Sequence, residues 1–391
     1  MSNSHRIILG VTGGIAAYKA AELTRLLVKY QYDVQVVMTE SATKFVAPLT
    51  FQALSGKEVL WSLWSDSSKN GMSHIETSRK SKLIIIAPAS ANFIAKLTHG
   101  FSDDLLSSIC LARTCPIAVA PAMNMHMWSN PATQRNINQL KKDGVIFFGP
   151  DSGEQACGDI GLGRMIESEE LLESINDYFT PKILKNKKIL ITSGGTIEMI
   201  DDVRGIANLS SGQMGSAIAH SALSMGAKVT LVTSSKNKNS KHIQTIYVKN
   251  VSEMHKEVMG HAGSQDIFIS VAAISDFTPE KILKGKIKKD GKNFTLKLKP
   301  TIDILSDVSK NYKKLFKVGF AAESENLIEN AKKKLISKNL DLVVANLVHE
   351  SMGLEDAKVT LLDKKDIIDL PKSNKINLSK RILEEIAGRI N

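Results

Sequence analysis

The stretch Arg6–Tyr30, RIILGVTGGIAAYKAAELTRLLVKY, indicates the fold of this chain. It opens with apolar and β-branched residues typical of a buried strand, turns at Gly13 and Gly14, and continues with apolar residues at helical spacing. A second apolar stretch, Asp33–Thr39, DVQVVMT, follows directly. A strand, a glycine turn, a helix and a further strand form the unit from which parallel sheets with helices on both faces are built.

The second half of the chain repeats this order. Lys187–Gly195, KKILITSGG, predicts a strand and a turn, Ser210–Ala227 predicts a helix, and Lys228–Ser234 predicts the next strand. Near-continuous apolar segments such as KLIIIAP, PIAVAPAM, DIFISVAA and DLVVAN alternate with helical segments in both halves. The pattern therefore predicts an α/β protein with two doubly wound, Rossmann-like parallel-sheet domains.

We place the domain boundary at Tyr178–Lys188, YFTPKILKNKK, where a predicted helix ends at a proline and a basic linker begins. The predicted domains are residues 1–180 and residues 181–391. Within the second domain, Lys284–Lys299, KGKIKKDGKNFTLKLK, alternates with a period of two on both sides of an Asp-Gly pair. This pattern predicts a protruding β-hairpin arm.

The composition is that of a globular protein, with 43% hydrophobic residues. No apolar run approaches the roughly 20 residues that span a bilayer, and the first residues lack the features of a signal peptide. We therefore expect a cytoplasmic protein. Cys110, Cys115 and Cys157 form neither a CxxC pair nor an even set, so the sequence indicates neither a disulfide scaffold nor a zinc site.

The charge is divided unevenly along the chain. Residues 1–180 carry 16 Lys and Arg against 17 Asp and Glu, whereas residues 181–391 carry 35 against 23. A basic half attracts phosphate groups, which could belong to a nucleotide, a nucleic acid or a membrane surface. The lysines are dispersed with few aromatic residues between them, which disfavours a binder of single-stranded nucleic acid. We expect small-molecule partners and neither nucleic acid nor a membrane.

Two predicted loops at strand ends carry small and hydroxyl residues. Gly13 and Gly14 follow the first strand, and Ser90 and Asn92 follow the strand KLIIIAP. The amide groups at a helix start favour an anion, and the carboxyl ends of parallel strands share one crevice. Tight turns also use glycine where no ligand binds, but the two loops together favour a mononucleotide-type ligand.

Three further residues of the first domain are candidates for chemistry. Asn124 lies in PAMNMHMWSN, within a patch of methionine and tryptophan that follows a predicted strand. His74 could be a surface or core residue, although histidine is the usual acid or base near neutral pH. Cys157 lies in the glycine-rich stretch DSGEQACGDIGLGRM, which predicts a flexible loop and favours a chemical role for the cysteine. Cys110 and Cys115 are expected to pack in the interior.

The second domain carries a pattern suited to a triphosphate and its metal ion. The segment SSGQMG precedes a helix and could hold phosphate through its amide groups. Asp276 ends a predicted strand, and Lys286 begins the lysine-rich segment KIKK. Lys334 and Lys338 are four residues apart, which places them on one helical face.

These motifs together resemble the bacterial bifunctional phosphopantothenoylcysteine decarboxylase and phosphopantothenate–cysteine ligase family of coenzyme A synthesis, across essentially the whole chain. The resemblance rests on the order and spacing of the segments GVTGGIAAYK, MSHIE, APASANFIAK, PAMNMHMW, ACGDIGLGRM, TSGGTIEMIDDVRGIANLSSGQMG, AAISDF with the later KIKK, VGFAAES and KKKLISKNLDLVVAN. It implies that residues 1–180 form an FMN-dependent decarboxylase and that residues 181–391 form a ligase that uses CTP and Mg2+.

In the first domain the resemblance implies that His74 is the active-site base, that Asn124 holds the substrate carboxylate and that Cys157 is the acid that ends the reaction. It also implies a set of FMN contacts: Gly13, Gly14, Thr39, Ser90 and Asn92. A neutral amide in an apolar patch suits a carboxylate that must leave as CO2, because a charged partner would stabilise the ground state.

In the second domain the resemblance implies that Asn208 binds an acyl-cytidylate intermediate and that Lys286 is needed for catalysis. The implied nucleotide contacts are Asp276, Lys286, Phe320, Lys334 and Lys338, and Asp303 is the implied metal position. The chain departs from the family at Thr301 and Ile302, where Asn-Pro is usual, and in the loop after Leu231, where Gly-Pro is usual. The choice of CTP over ATP rests on the resemblance alone.

The resemblance further implies a homo-oligomer with trimeric decarboxylase contacts and dimeric ligase contacts. Two other flavin enzymes stay open as alternatives, a different flavin-dependent cysteine decarboxylase and an enzyme similar to a flavin prenyltransferase. Neither requires a nucleotide-binding second domain. A third alternative is a non-catalytic nucleotide- or DNA-binding module, which the pI of about 9.3 suggests.

Overall fold

The computed structural model of the chain describes residues 5–63, 77–288, 294–348 and 356–390. The chain divides into two compact units, Met1–Phe179 and Thr180–Asn391. Both units are built of parallel sheets and helices, which confirms the predicted fold class. In the described ranges, no helix combines the length and the apolar character that a membrane crossing requires.

The first unit contains a five-stranded sheet in the order β2-β1-β3-β4-β5, in which every pair of neighbours is parallel, and a separate antiparallel pair, β6 and β7. Its strands are β1 (Arg6–Val11), β2 (Asp33–Met38), β3 (Leu83–Ala89), β4 (Ile117–Pro121), β5 (Ile146–Phe147), β6 (Asp151–Glu154) and β7 (Ile160–Arg164). Its helices are α1 (Ala17–Lys29), α2 (Glu40–Thr43), α3 (Pro48–Ser55), α4 (Ala91–His99), α5 (Leu105–Leu111), α6 (Met125–Ser129), α7 (Pro131–Lys142) and α8 (Ser168–Phe179).

Both faces of this sheet are buried. Leu83 and Ile85 of β3 pack into one apolar cluster, whereas Ile84 and Ile86 pack into another on the opposite face. Alternate residues of a strand point to opposite faces, so a strand covered on both sides must be apolar throughout. The near-continuous apolar segments of the sequence have this cause.

The second unit contains an eight-stranded sheet in the order β12-β11-β8-β13-β16-β17-β18-β19 and two antiparallel pairs, β9–β10 and β14–β15. Its strands are β8 (Lys188–Ser193), β9 (Ile197–Met199), β10 (Gly205–Ala207), β11 (Lys228–Thr233), β12 (Gln244–Tyr247), β13 (Ile267–Ser270), β14 (Phe277–Pro279), β15 (Leu298–Pro300), β16 (Phe316–Glu323), β17 (Leu342–Leu347), β18 (Asp356–Leu362) and β19 (Ile367–Asn374). Its helices are α9 (Gln213–Ser224), α10 (Val251–Ala262), α11 (Ile304–Asn311), α12 (Leu327–Ser337) and α13 (Lys375–Ile390).

One edge of this sheet departs from the all-parallel prediction. The strands from β12 to β17 are parallel, but β18 is antiparallel to β17 and β19 is antiparallel to β18. The turn between β18 and β19 is closed by Asp363, whose carboxylate accepts hydrogen bonds from the backbone N–H groups of Lys365 and Asp366. So short a connection permits only antiparallel pairing, because a parallel pair needs a long crossover.

Two segments differ from their predicted local structure: the expected hairpin arm and the glycine-rich stretch around Cys157. The hairpin arm at 284–299 is not confirmed: residues 281–288 contain no strand, and the expected Asp-Gly turn lies outside the described residues. The strands found here, β14 and β15, pair Phe277–Pro279 with Leu298–Pro300 at the base of this segment. The glycine-rich stretch around Cys157, expected as a loop, forms the antiparallel pair β6–β7.

Helix α9 lies very close to strand β8. A Cβ atom added to Gly215 would lie 2.5 Å from the Cβ of Ser193, too close for two carbon atoms. The Ser193 hydroxyl also donates a 2.9 Å hydrogen bond to the carbonyl of Gly212, which begins the helix with a φ of 72°. The glycines of SSGQMG therefore bring the start of α9 onto the end of β8.

We predict that Gly215→Ala destabilises the protein by about 2 kcal/mol, because α9 must move away from β8. The matched control is Gly260→Ala in the exposed part of α10, where an added Cβ meets no atom within 4 Å. That change should stabilise by up to about 1 kcal/mol through helix propensity. Thermal unfolding of the full chain measures both midpoints, and equal midpoints for the two variants would contradict the close packing.

Candidate functional site

The loops that follow β1, β2 and β3 meet at the carboxyl edge of the first sheet. The Thr12 hydroxyl donates a 2.7 Å hydrogen bond to the carbonyl of Pro88 and accepts one of 3.0 Å from the N–H of Ser90. The N–H of Thr39 donates a 3.0 Å hydrogen bond to the carbonyl of Val11. The two loops predicted to share a crevice are thus joined directly.

Candidate residues of this edge lie at the starts of helices α1, α2 and α4. An added Cβ at Gly14 would meet nothing within 4 Å, and Ala16, which precedes α1, offers no side chain to cap the helix. The N–H of Ala17 donates a 3.0 Å hydrogen bond to the carbonyl of Gly14. Thr39 and Ser90 cap α2 and α4 by accepting hydrogen bonds from backbone N–H groups, a role the sequence did not indicate. Their hydroxyl hydrogens can still be donated. Asn92 lies exposed in the first turn of α4.

Asn124 and Cys157, predicted from separate motifs, lie together. Asn124 follows β4 and begins α6, where its side-chain oxygen accepts a 2.9 Å hydrogen bond from the N–H of His126. Its Nδ2 lies 3.3 Å from the Sγ of Cys157 and donates to Gln155 Oε1 at 3.3 Å and to Asp159 Oδ2 at 2.7 Å. Sequence reasoning missed the last two residues, although both lie in the segment that contains Cys157.

The β6–β7 pair is fixed to the rest of the unit through the end of β7. The N–H of Met123 donates a 2.9 Å hydrogen bond to the carbonyl of Gly163. The buried Nζ of Lys19 in α1 donates to the carbonyl of Met165 and to Glu167, each at 2.9 Å. The segment that carries Cys157 is therefore anchored to β4 and to α1.

The methionine patch serves more than one purpose. Met123 and Trp128 pack against an apolar cluster of the core, and Met125 lies against β7, where an added Cβ at Gly161 would be 3.0 Å from its sulfur. Met127 is half-exposed. Only part of the methionine and tryptophan patch around Asn124 is therefore open to a ligand. The remaining candidate of this unit, His74, lies outside the described residues.

A second group of candidates gathers at the carboxyl edge of the second sheet. The Nδ2 of Asn208 donates a 2.9 Å hydrogen bond to the carbonyl of Ile274, in the loop that follows β13. The N–H of Ala273 donates a 2.8 Å hydrogen bond to the carbonyl of Gly194, in the loop that follows β8. An added Cβ at Gly195 would lie 2.5 Å from the carbonyl oxygen of Asn208, so a side chain there would displace this segment.

Two lysines and three carboxylates lie close enough together in the second unit for their charges to interact. Lys334 Nζ donates a 2.6 Å hydrogen bond to the carbonyl of Phe320. Burial, assisted by the charge of Lys338, lowers the pKa of Lys334, and Glu323, Asp303 and Asp276 act in the opposite sense. Four of the five predicted nucleotide contacts are thus in one neighbourhood: Asp276, Phe320, Lys334 and Lys338.

Asp303 has structural partners of its own. It begins α11 by accepting a 3.0 Å hydrogen bond from the N–H of Ser306, and its other oxygen accepts from the Ser306 hydroxyl at 2.7 Å. Lys338 Nζ lies 3.0 Å from the carboxylate. Burial opposes the charge, but these hydrogen bonds and Lys338 lower the pKa of Asp303.

The backbone on each side of Lys286 is held by two aspartates that sequence reasoning missed. Asp202 accepts a 2.9 Å hydrogen bond from the N–H of Gly285, and Asp201 accepts one of 3.1 Å from the N–H of Ile287. The side chain of Asp201 is fully buried. The side chain of Lys286 itself is exposed.

Asp201 belongs to the turn between β9 and β10. It also accepts hydrogen bonds from the N–H groups of Val203 at 2.8 Å and Arg204 at 2.7 Å. Burial opposes the charged form, but the three amide donors and the Arg204 guanidinium lower the pKa of Asp201. One carboxylate therefore joins the Lys286 segment to the turn that leads to Asn208.

A cavity of about 870 Å³ lies at the opposite edge of the second sheet, and its lining includes Lys187, Asp266, Phe316 and Asp341. These residues precede or begin β8, β13, β16 and β17, so they mark the amino ends of the strands. Parallel α/β sheets bind ligands at the carboxyl ends. We therefore assign the candidate site to the carboxyl edge.

Two family models match the chain. The Flavoprotein model matches residues 1–180, and the model of the DNA/pantothenate metabolism flavoprotein C-terminal domain matches residues 184–390. Fold and family models therefore define a flavoprotein domain followed by an α/β domain of the DNA/pantothenate metabolism flavoprotein C-terminal type.

Curated relatives match nearly the full chain. The coenzyme A biosynthesis bifunctional protein CoaBC of Vibrio parahaemolyticus is 44% identical over 388 residues, which are 97% of each chain. The protein of the same name from Bacillus subtilis is 42% identical over 99% of this chain and 98% of its own, and that of Escherichia coli is 41% identical over 98% and 97%. This chain belongs to the family of coenzyme A biosynthesis bifunctional proteins, as the resemblance of its motifs predicted.

We predict that Asp201→Ala loosens two backbone segments, the β9–β10 turn at Val203 and the segment at Ile287. Amide hydrogen exchange should become about tenfold faster or more in peptides that cover Val203 and Ile287, because their N–H groups lose a buried acceptor. Asp202→Ala is the matched control, which should affect only the peptide that contains Gly285. Unchanged exchange at Ile287 in Asp201→Ala would show that Asp201 does not hold the Lys286 segment.

Proposed function

We propose that this chain converts 4′-phosphopantothenate to 4′-phosphopantetheine in two reactions. The second unit joins cysteine to 4′-phosphopantothenate, and the first unit decarboxylates the resulting phosphopantothenoylcysteine. The observation that carries the proposal is the pairing of Asn124 with Cys157 across the β6–β7 segment, in a chain whose relatives are coenzyme A biosynthesis bifunctional proteins.

FMN fits the carboxyl edge of the first sheet. The start of α1 beside Gly14 has no side-chain cap and has open space for a phosphate at the positive end of the helix, and Thr39 and Ser90 offer hydroxyl groups. Gly13 and Asn92 complete the proposed set. A bound FMN would supply reversible two-electron oxidation of the thiol-bearing carbon, which is the electron sink that decarboxylation requires.

The residues around this position handle the carboxylate and the protons. Asn124 donates one N–H to the substrate carboxylate, a neutral interaction that is given up when CO2 leaves. Cys157, exposed on the β6–β7 segment, gives its thiol proton to the decarboxylated product. His74 is proposed as the base that removes a proton from the substrate.

In the second unit the carboxylate of 4′-phosphopantothenate attacks the α-phosphorus of CTP, forms an acyl-cytidylate and releases pyrophosphate. The amine of cysteine then attacks the acyl carbon, loses a proton, and CMP leaves. Asn208 is proposed to bind the acyl-cytidylate and Lys286 to offset its developing negative charge. Asp276, Phe320, Lys334 and Lys338 are proposed to contact the nucleotide.

Mg2+ would enter this site with the triphosphate, whose oxygens supply most of its ligands. Asp303 can add a single carboxylate, since its oxygens already accept hydrogen bonds from Ser306 and Lys338. We further propose a cytoplasmic homo-oligomer with trimeric contacts between first units and dimeric contacts between second units.

The test is a mass spectrum of the products formed by the FMN-loaded full chain from 4′-phosphopantothenate, cysteine, Mg2+ and either CTP or ATP. We expect phosphopantetheine with CTP. Asn208→Asp should abolish ligation yet still decarboxylate added phosphopantothenoylcysteine, and Cys157→Ser should release CO2 without forming the saturated product. Loss of both reactions in Asn208→Asp would refute the division between the units, and no product with either nucleotide would refute the function.

We also predict that CTP binding takes up a proton at alkaline pH. The pKa of free Lys334 is lowered by burial and by Lys338, and a triphosphate beside it raises that pKa again. At a pH between the pKa of Lys334 without CTP and its pKa with CTP bound, binding takes up at most about one proton. The affinity for CTP therefore falls as the pH rises through the lower of these two pKa values. Calorimetry in two buffers of different ionisation enthalpy measures the uptake.

The matched control for this measurement is Lys334→Arg, because arginine stays charged throughout this pH range. The variant should bind CTP with little proton uptake. Equal uptake by the variant and the natural protein would contradict the assignment of the proton to Lys334.

A further inference from the structure

One oxygen atom of Asp159 is shared by two functional donors. Asp159 Oδ2 accepts a hydrogen bond of 2.7 Å from Asn124 Nδ2 and one of 3.3 Å from the Cys157 thiol. Asn124 Nδ2 and Cys157 Sγ are themselves 3.3 Å apart. The amide, the thiol and the carboxylate oxygen thus form a closed triangle.

The orientation of the Asn124 amide is fixed by its neighbours. Its oxygen accepts the N–H of His126, so its nitrogen points the other way, toward the β6–β7 segment. One of its two N–H groups donates to Gln155 Oε1, which also accepts from the N–H of Met125 at 3.0 Å. The second N–H donates to Asp159. A substrate carboxylate can accept this N–H only if Asp159 gives it up.

The backbone presents Asp159 at this point. The turn between β6 and β7 is closed by hydrogen bonds from the N–H of Gln155 to the carbonyl of Asp159, at 2.8 Å, and from the N–H of Gly158 to the carbonyl of Gln155, at 2.9 Å. Gly158 has a φ of 88°, a conformation that glycine adopts without strain. The hydrogen bond from Asn124, followed by that from Cys157, lowers the pKa of Asp159, so it is ionised at neutral pH.

We propose that Asp159 is a positioning residue whose carboxylate competes with the substrate carboxylate for the second N–H of Asn124. The inference rests on the proposed decarboxylase function, in which Asn124 binds that carboxylate. A substrate must displace Asp159 from Asn124, whereas the decarboxylated product need not. Asp159 therefore weakens binding of the substrate but not of the decarboxylated product. Once CO2 has left, Asp159 again accepts the hydrogen bond from Asn124.

The test compares two ligands that differ only in the carboxylate. The first is the analogue of phosphopantothenoylcysteine that has a hydroxyl in place of the thiol, and the second is the same molecule without the carboxylate. Calorimetry on the FMN-loaded full chain gives the dissociation constant of each. In Asp159→Asn we expect the first ligand to bind roughly three- to tenfold more tightly, because a neutral acceptor holds Asn124 more weakly than an ionised one does. The second ligand should bind unchanged.

Two controls separate this competition from other effects. Glu154→Gln removes an equal charge from exposed β6, at the residue that pairs with Ile160, and should change neither affinity. In an Asn124→Ala background, Asp159→Asn should no longer strengthen binding of the first ligand, because the shared donor is gone.

Weaker binding of both ligands in Asp159→Asn would assign Asp159 a structural role, and unchanged binding of the first ligand would deny competition. An equal gain in Glu154→Gln would attribute the effect to overall charge. Each of these results overturns the inference while leaving the function intact. The function itself is tested separately, because natural protein that releases no CO2 from phosphopantothenoylcysteine refutes it directly.

Discussion

Parallel pairing of buried strands is the constraint on which the rest of this structure depends. When neighbouring strands run in the same direction and both faces are covered, every strand ends at the same edge and hands its chain to a loop there. Thr12, Ser90 and Asn124 come from three different strand ends, yet all lie at one edge of the first sheet. In the second unit, Asn208 and Lys334 reach the corresponding edge through hydrogen bonds to the carbonyls of Ile274, after β13, and Phe320, in β16.

Carboxylates that each accept several hydrogen bonds position the candidate residues at both edges. Asp201 is buried with three backbone amide donors, Asp303 begins a helix and pairs with Lys338, and Asp159 accepts from an amide and a thiol. A carboxylate with several donors stays ionised and fixes those donors in space. These residues orient the groups proposed to react, and they do so through hydrogen bonds to backbone and side chains within their own unit.

The three cysteines show how environment separates packing from chemistry. Cys110 and Cys115 are buried in an apolar cluster, and burial raises the pKa of both thiols, which keeps them protonated and unreactive. Cys157 is exposed beside Asn124 and Asp159. The thiol proposed to donate a proton is the one that has both access and a polar neighbour.

The sequence by itself determined the fold class, because continuous apolar segments such as LIIIAPA, short and alternating with helical segments, are typical of parallel strands buried on both faces. The order and spacing of its motifs also predicted Asn124, Cys157, Asn208, Lys334 and Lys338 as candidate site residues. Tertiary structure alone decided the antiparallel edge of the second sheet, the pairing of β6 with β7, and the roles of Gln155, Asp159, Asp201 and Asp202. These depend on which distant backbone and side-chain groups meet, and an aspartate in a polar turn has the same local pattern whether it holds a catalytic segment or faces water.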